Sequence, residues 1–232
     1  MNPHYTYFLI LACSLAGPLV LSFDKKVAFY KKWKYVFAAM VLPAIFYLLW
    51  DGYFAGQGIW FFNAPYIATK TNLYNLPLEE VLFFFVVPYC CTFVYECICT
   101  YFPKLQSTKL ADNILWAIGL CMFIVGFFTL KLRYTSYTAI FLGVFIFCVL
   151  AFRKYFVSFN STVFLVSYAI ILIPFLFVNG FLTAIPVITY NDADNLAIRI
   201  RTIPIEDVFY GMLMVMMNIV GYEKLLKRKI IK

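Results

Sequence analysis

The sequence predicts an all-α integral membrane protein with about seven transmembrane helices, arranged as two parallel three-helix repeats joined by a linking helix. Three observations lead to this prediction. First, 64% of the 232 residues are hydrophobic and only 13% are charged, whereas a soluble domain is about 45–50% apolar and about 25% charged. Second, the apolar residues fall into runs long enough to cross a bilayer. Third, an acidic hexapeptide occurs twice, each time at the start of such a run.

The apolar runs are predicted to be helices rather than barrel strands. Every backbone polar group in lipid needs a partner within the protein, and barrel strands are shorter and alternate in polarity. The predicted spans cover about 5–23, 35–54, 80–102, 113–130, 135–152, 162–181 and 207–222. The first run lacks the basic segment that opens a cleaved signal peptide, so it is interpreted as a true span.

The net charge of +8 indicates membrane topology and not nucleic-acid binding. With seven spans, one set of alternate loops and the C-terminal tail carry fourteen Lys and Arg, and the opposite side carries five. Because Lys and Arg concentrate in cytoplasmic loops, we expect the N-terminus outside and the C-terminus in the cytoplasm, with the chain integral to the cell (inner) membrane. The tail would also contact lipid headgroups.

The sequence supports no cofactor site. All seven cysteines lie within or at the ends of predicted spans, where thiols usually pack as small apolar groups. His4 is the single histidine, which excludes a histidine-based metal site. No glycine-rich dinucleotide fingerprint follows a predicted strand. We therefore expect neither a metal nor an organic cofactor.

An internal repeat relates the two halves of the chain. LPLEEV at 76–81 returns as IPIEDV at 203–208, and a Tyr-Glu pair follows each hexapeptide at the same distance. Upstream, LLWDGYF matches LFVNGFL, so that Asp51 stands opposite Asn179. The predicted organisation is a first repeat at 1–102, a linking helix at 103–132, a second repeat at 133–226 and a basic cytoplasmic tail at 227–232.

Both acidic motifs are expected at one end of the bundle. An even number of spans separates the two repeats, which gives them the same orientation. The charge count places their shared acidic end on the non-cytoplasmic side. Glu96 lies about 25 Å from Glu79 along the helix at 1.5 Å per residue, so the glutamates of the Tyr-Glu pairs, Glu96 and Glu223, cannot share a site with these motifs.

The acidic pairs allow two interpretations. One is capping, since Pro and acids favour the first turn of a helix. The other is function, because carboxyls at the edge of hydrocarbon are costly unless paired, neutral or functional, and the second copy favours this interpretation. Neighbouring helical residues point about 100° apart, so one acid of each pair would face the seam between the repeats. We expect Glu79 and Glu206 to meet there and to hold a proton donor and a proton acceptor in one pocket.

These motifs resemble the two repeats of the integral-membrane, flavin-independent lycopene cyclases. LPLEEVLFFFVVPY and YNDADNLAIRIRTIPIEDVFYG, each with its later Tyr-Glu, carry the resemblance, which covers about 1–226. That family is known as heterodimeric small subunits in some bacteria and as fused domains in archaea and fungi. Here both repeats lie in one chain.

The resemblance implies a lycopene β-cyclase that acts without net redox change, metal or cofactor on an apolar carotenoid entering from the bilayer. An acid would protonate the terminal alkene, a nearby double bond would close the ring, and a carboxylate would remove a proton to leave a β-ionone ring. The expected catalytic residues are Glu79 and Glu206, which are preferred, with Glu80 and Asp207. The expected surrounding or substrate-binding residues are Asp51, Asn179, Asn191, Arg199, Phe83, Phe84 and Tyr210. The resemblance also allows association with other carotenoid-pathway enzymes, and it fixes no oligomeric state.

Two other functions remain open from the sequence. A carotenoid hydratase would share the protonation step and then let water capture the cation, so the two enzymes differ in how dry the pocket is. A small proton-coupled transporter would also suit parallel repeats with intramembrane acids. Against the transporter, the acids cluster at one end and no polar stripe crosses the middle of the membrane.

Overall fold

The computed structural model describes residues 3–69 and 72–227. Within them lie seven helices long and apolar enough to cross a membrane, which confirms the predicted all-α membrane fold. They are α1 (Thr6–Leu21), α2 (Trp33–Gly56), α3 (Leu78–Tyr101), α4 (Lys109–Phe128), α5 (Arg133–Ala151), α6 (Ser161–Ala184) and α7 (Ile205–Leu226). Lys70, which entered the charge count, and the tail beyond Lys227 lie outside the described residues.

Short strands connect the helices at one end of the bundle. They are β1 (Trp60–Phe62), β2 (Asn72–Leu73), β3 (Leu76–Pro77), β4 (Ile188–Tyr190), β5 (Arg199–Ile200) and β6 (Ile203–Pro204). β1 pairs antiparallel with β4, with Trp60 opposite Tyr190 and Phe62 opposite Ile188. This pairing joins a loop of the first repeat to a loop of the second.

α3 and α7 begin in the same way, which places the acidic pairs. An antiparallel hairpin precedes each helix, β2–β3 before α3 and β5–β6 before α7. Pro77 and Pro204 stand at the N-cap positions, and two acids follow in each first turn. The N-terminus of a helix favours negative charge, so the acids suit these positions, but neither N-cap residue makes a side-chain capping bond.

The two repeats run in the same direction through the bundle. Tyr7, near the start of α1, contacts Glu80 near the start of α3, and Tyr134, near the start of α5, contacts Asp207 near the start of α7. Both contacts join residues 73 positions apart in the sequence. The C-terminal parts of α2 and α6 reach this same end, so the repeats bring their acids to one place.

α4 packs closely on α5 through glycines. A Cβ atom at Gly143 would lie 2.8 Å from the carbonyl oxygen of Gly119, and one at Gly126 would lie 2.6 Å from a side-chain carbon of Ile140. Small residues at such crossings let helix backbones approach each other in a membrane. α4 is therefore attached to the second repeat through α5.

Replacing Gly143 with leucine is expected to lower stability, because the new side chain meets the backbone of α4. Overpacking of this kind costs about 1–3 kcal/mol, which thermal unfolding in detergent micelles would measure. Gly17→Leu is the matched control, since a Cβ atom at Gly17 meets nothing within 4 Å. An equal change in both variants would contradict the close packing of α4 on α5.

Candidate active site

A small cavity of about 40 Å³ lies where the two repeats meet, and we call it the acid cavity. Asp51, Glu80 and Asp207 line it, and each is at most 5% exposed. The aromatic residues of its wall are Trp60, Phe62, Phe83, Tyr134, Phe175, Tyr190 and Tyr210. No Lys, Arg or His is among the described residues that line it. Three carboxyl groups therefore share one small aromatic enclosure without a cation in its wall.

Glu80 has one tyrosine donor from its own repeat. The hydroxyl of Tyr7 donates to Oε2 of Glu80 at 2.5 Å, and both residues are buried. Glu80 reaches the cavity from the first turn of α3, and α1 supplies the tyrosine. The contact thus orients the carboxyl group and joins two helices of the first repeat.

Asp207 has three donors and occupies the matching position of the second repeat. Tyr134 donates to Oδ1 of Asp207 at 2.5 Å, and the amide of Asn179 and the hydroxyl of Tyr190 each donate to Oδ2 at 2.9 Å. Hydrogen bonds to a carboxylate favour its ionised form. These three donors therefore offset part of the cost of burying the Asp207 carboxylate.

Tyr190 remains a hydrogen-bond donor over the whole physiological pH range. It lies in β4, outside the membrane-spanning helices. Burial, followed by the nearby charge of Asp207, raises the pKa of the Tyr190 phenol well above its ordinary value. Its proton therefore stays in place to bond Asp207.

Asp51 is the third carboxyl group of the acid cavity, and its tyrosine donor comes from the other repeat. The hydroxyl of Tyr210 donates to Oδ1 of Asp51 at 2.5 Å, and Tyr47 donates to the carbonyl oxygen of Tyr210 at 3.0 Å. Asp51 occupies in α2 the position that Asn179 occupies in α6. The two repeats thus differ at this position, with an acid near Glu80 and an amide donating to Asp207.

Glu79 is held by its preceding loop, and Glu206 by its preceding loop and the start of α5, rather than by each other. The backbone N–H groups of Ala68 and Thr69 donate to Oε1 of Glu79 at 2.7 and 3.1 Å, and the Thr69 hydroxyl donates to Oε2. Thr135 and the backbone N–H of Leu196 donate to Oε1 of Glu206 at 2.5 and 2.8 Å. Neither glutamate lines the acid cavity.

The expectation that Glu79 and Glu206 meet at the seam was therefore wrong. The 100° divergence within each pair is present, but the second acid of each pair turns inward. The first acid turns towards the preceding loop because backbone N–H groups that need acceptors lie there.

The other expected site residues divide into two groups. Asp51, Asn179, Phe83 and Tyr210 line the acid cavity. Phe84, Asn191 and Arg199 do not. Phe84 stacks on Tyr47 with ring centroids 5.5 Å apart. Asn191 donates to Asp194, and Arg199 pairs with Asp192, so both stabilise the loop between α6 and α7.

Sequence reasoning missed the tyrosine donors Tyr7, Tyr134 and Tyr190. A signal for two of them was present, because Tyr7 and Tyr134 stand in the same register as the acids that they contact. Trp60 and Phe175 were also missed, and no motif marks them. Their places in the wall depend on the loop pairing and on the packing of α6.

The Tyr-Glu pairs near the ends of α3 and α7 lie in a separate cluster at the far end of the bundle. Glu96 pairs with Lys32 and accepts a hydrogen bond from Tyr222 at 2.7 Å. As expected, Glu96 and Glu223 do not reach the acid cavity. Across the described part of the chain, no group of three or more His, Cys, Asp and Glu residues could hold a metal ion.

Glu79→Gln is expected to destabilise the protein more than Glu80→Gln does. A glutamine at position 79 would weaken the charge-assisted bonds from two backbone N–H groups and would place an NH₂ group where Oε2 accepts from the Thr69 hydroxyl, at a cost of about 1–3 kcal/mol. At position 80, the amide oxygen can still accept from Tyr7. Thermal unfolding of the two variants in the same detergent measures the difference. A larger loss for Glu80→Gln would contradict the separate surroundings of the two acids.

A comparison with protein families identifies the chain's relatives. The family model described as lycopene cyclase matches twice, over residues 4–98 and 131–225. The two matches fall in the same register as the contacts of Tyr7 with Glu80 and of Tyr134 with Asp207. Neither a curated protein nor a solved structure matches the chain. The matches span more than half of the sequence, and this membrane protein therefore belongs to the lycopene cyclase family.

Proposed function

We propose that the protein is a lycopene β-cyclase, which closes the acyclic ends of lycopene to β-ionone rings by acid–base catalysis alone. The observation that carries the proposal is the meeting of Glu80 and Asp207 in one aromatic cavity. These residues occupy matching positions of the two repeats, and each accepts from a tyrosine 73 positions earlier. Membership of the lycopene cyclase family supports the substrate.

Glu80 is proposed as the proton donor. Among the described residues it has one neutral donor, Tyr7, and it shares the cavity with the carboxyl group of Asp51. Charged groups in a wall without cations are costly, so this side of the cavity suits a carboxylic acid that still holds its proton. The O–H bond of Glu80 breaks as a C–H bond forms on the terminal alkene of lycopene.

Asp207 is proposed as the proton acceptor. After protonation the neighbouring double bond attacks the cationic carbon and closes a six-membered ring, which moves the positive charge onto a ring carbon. Asp207 then removes the adjacent proton and leaves the ring double bond. Three hydrogen-bond donors hold its carboxylate ready for this step. One proton must pass from Asp207 to Glu80 before the next cycle, so the reaction has no net proton change.

The aromatic wall suits the charge that develops during ring closure. The face of an aromatic ring attracts a cation, and rings surround the acid cavity from both repeats. The acid cavity, of about 40 Å³, has room for no more than a few water molecules. A lycopene end that occupies it would leave little space for water beside the cation, which favours cyclisation over hydration.

Loss of either inward acid is expected to stop cyclisation. Glu80→Gln removes the proposed donor and Asp207→Asn removes the proposed acceptor, and general acid–base catalysis contributes about 10²–10⁴-fold. The measurement is the carotenoid profile of lycopene-making cells that express each variant. Glu79→Gln and Glu206→Gln are the matched controls, which should retain most activity per folded protein.

Each product pattern in that experiment has a defined meaning. Full β-carotene formation by both Glu80→Gln and Asp207→Asn would overturn the assigned roles. Hydroxylated acyclic carotenoids from the unchanged protein would identify a hydratase, and ε rings would disprove the β assignment. Unchanged lycopene together with proton or solute flux in liposomes would identify a transporter.

The proposed placement in the cell membrane puts the acid cavity near the non-cytoplasmic side. The excess of Lys and Arg on the opposite side supports this orientation. A reporter enzyme that folds only outside the cytoplasm should be active when fused before Met1 and inactive when fused after Lys232. The reverse pattern would show that the protein has the opposite orientation.

A further inference from the structure

A second cavity, of about 190 Å³, lies between α1, α3 and α6, and we call it the lateral groove. Its wall is mostly apolar and includes Ser14 and Pro18 of α1, Val87 of α3, and Pro174 and Val178 of α6. Pro174 is exposed and the other four are half-buried, so the groove lies at the outer surface of the helix bundle. From Phe83 to Val94 it follows about 16 Å of α3, at 1.5 Å per residue.

The lateral groove adjoins the acid cavity. Phe83, Phe175 and Asn179 belong to the walls of both. The two phenylalanine rings thus form the partition, and Asn179 donates to Asp207 on the inner side. An apolar chain in the groove would therefore point its end at the proposed acid and base.

The second repeat offers an equivalent seam between α5, α7 and α2. The register of the repeats makes the comparison direct, because Tyr7 corresponds to Tyr134 and Asp51 corresponds to Asn179. Counting from these residues, each position that lines the lateral groove has a counterpart in the second seam. A symmetrical protein would have two such grooves.

Large rings fill the second seam. Phe141, Phe46 and Trp50 stand there in place of Ser14, Pro174 and Val178. Phe46 and Phe141 have ring centroids 5.5 Å apart, Trp50 and Phe141 5.0 Å, and Phe46 and Trp50 5.6 Å. Such contacts stabilise a packed cluster, so the second seam is closed.

The partition also differs between the repeats. Tyr47 and Tyr210 occupy the positions that correspond to Phe175 and Phe83. Their ring centroids lie 4.8 Å apart, and Tyr47 donates to the backbone carbonyl of Tyr210 while Tyr210 donates to Asp51. Phe83 and Phe175 lack hydroxyl groups for such bonds, so their rings can turn aside at lower cost.

We propose that the lateral groove is the apolar entrance through which a long apolar polyene passes one end from the bilayer into the acid cavity, with Phe83 and Phe175 as the gate. The proposal rests on the proposed function for the identity of the polyene as lycopene. Continuity with the acid cavity and the closure of the equivalent seam support it. A substrate with two acyclic ends must then leave and re-enter in the opposite direction for its second ring.

The test replaces residues of the lateral groove with the larger side chains found at the corresponding positions of the second seam. Val178→Trp copies Trp50, and Ser14→Phe copies Phe141 as a second variant at a half-buried position. Both should reduce cyclisation by about 100-fold, because a displaced substrate end cannot reach the acids. Ile173→Trp is the matched control on α6, since Ile173 is 62% exposed and does not line the groove. Thermal unfolding in detergent confirms that the variants are folded.

Retention of lycopene by the purified protein separates this proposal from the proposed function. The unchanged protein and Ile173→Trp should retain lycopene, and the two groove variants should not. Full cyclisation by folded Val178→Trp and Ser14→Phe would overturn the lateral groove as the entrance and would leave the cyclase function unaffected. If the unchanged protein forms no rings, the proposed cyclase function is wrong. The retention pattern alone then shows whether the lateral groove binds lycopene. Equal retention by all four proteins would overturn the groove proposal.

Discussion

The structure depends on the need of a buried carboxyl group for hydrogen-bond donors. Glu80 and Asp207 are buried at the starts of α3 and α7, and each accepts a hydrogen bond from a tyrosine hydroxyl of another helix in its repeat. An unsatisfied polar group in such surroundings costs about 1–3 kcal/mol. The same bonds that satisfy Glu80 and Asp207 therefore also align α1 with α3 and α5 with α7. These two hydrogen bonds thus contribute both to helix packing and to the geometry of the site.

Departures from symmetry give the carboxyl groups of the two halves different surroundings. The exchange of Asp51 for Asn179 leaves the first repeat with an additional acid and supplies the second with an additional donor to Asp207. One cavity thereby contains carboxyl groups in unlike surroundings, which is how proteins separate an acid from a base. A second departure concerns the outer seams, where Val178 leaves space and Trp50 fills it.

The fold class could be predicted from hydropathy, because only helices and closed barrels satisfy their backbone in lipid. The repeat register located both acidic pairs at one end, and the 100° rule showed that the two acids of a pair diverge. Which acid turns inward could not be predicted, since it depends on the loop N–H groups of Ala68 and Leu196. The β1–β4 pairing could not be predicted either, because strands of three residues are too short to show an alternating hydrophobic pattern. Tyr7 and Tyr134 could have been predicted, because each precedes the acid that it contacts by 73 positions.

The β1–β4 pairing has a consequence for how the two halves depend on each other. It joins Trp60 to Tyr190 across the boundary between the repeats, and both residues line the acid cavity. Neither repeat contains the whole wall, since Glu80 belongs to one and Asp207 to the other. Each half is a separate stretch of sequence, but neither half alone contains both inward acids. A substitution in either half that separates Trp60 from Tyr190 would therefore open the cavity that contains the acids of both halves.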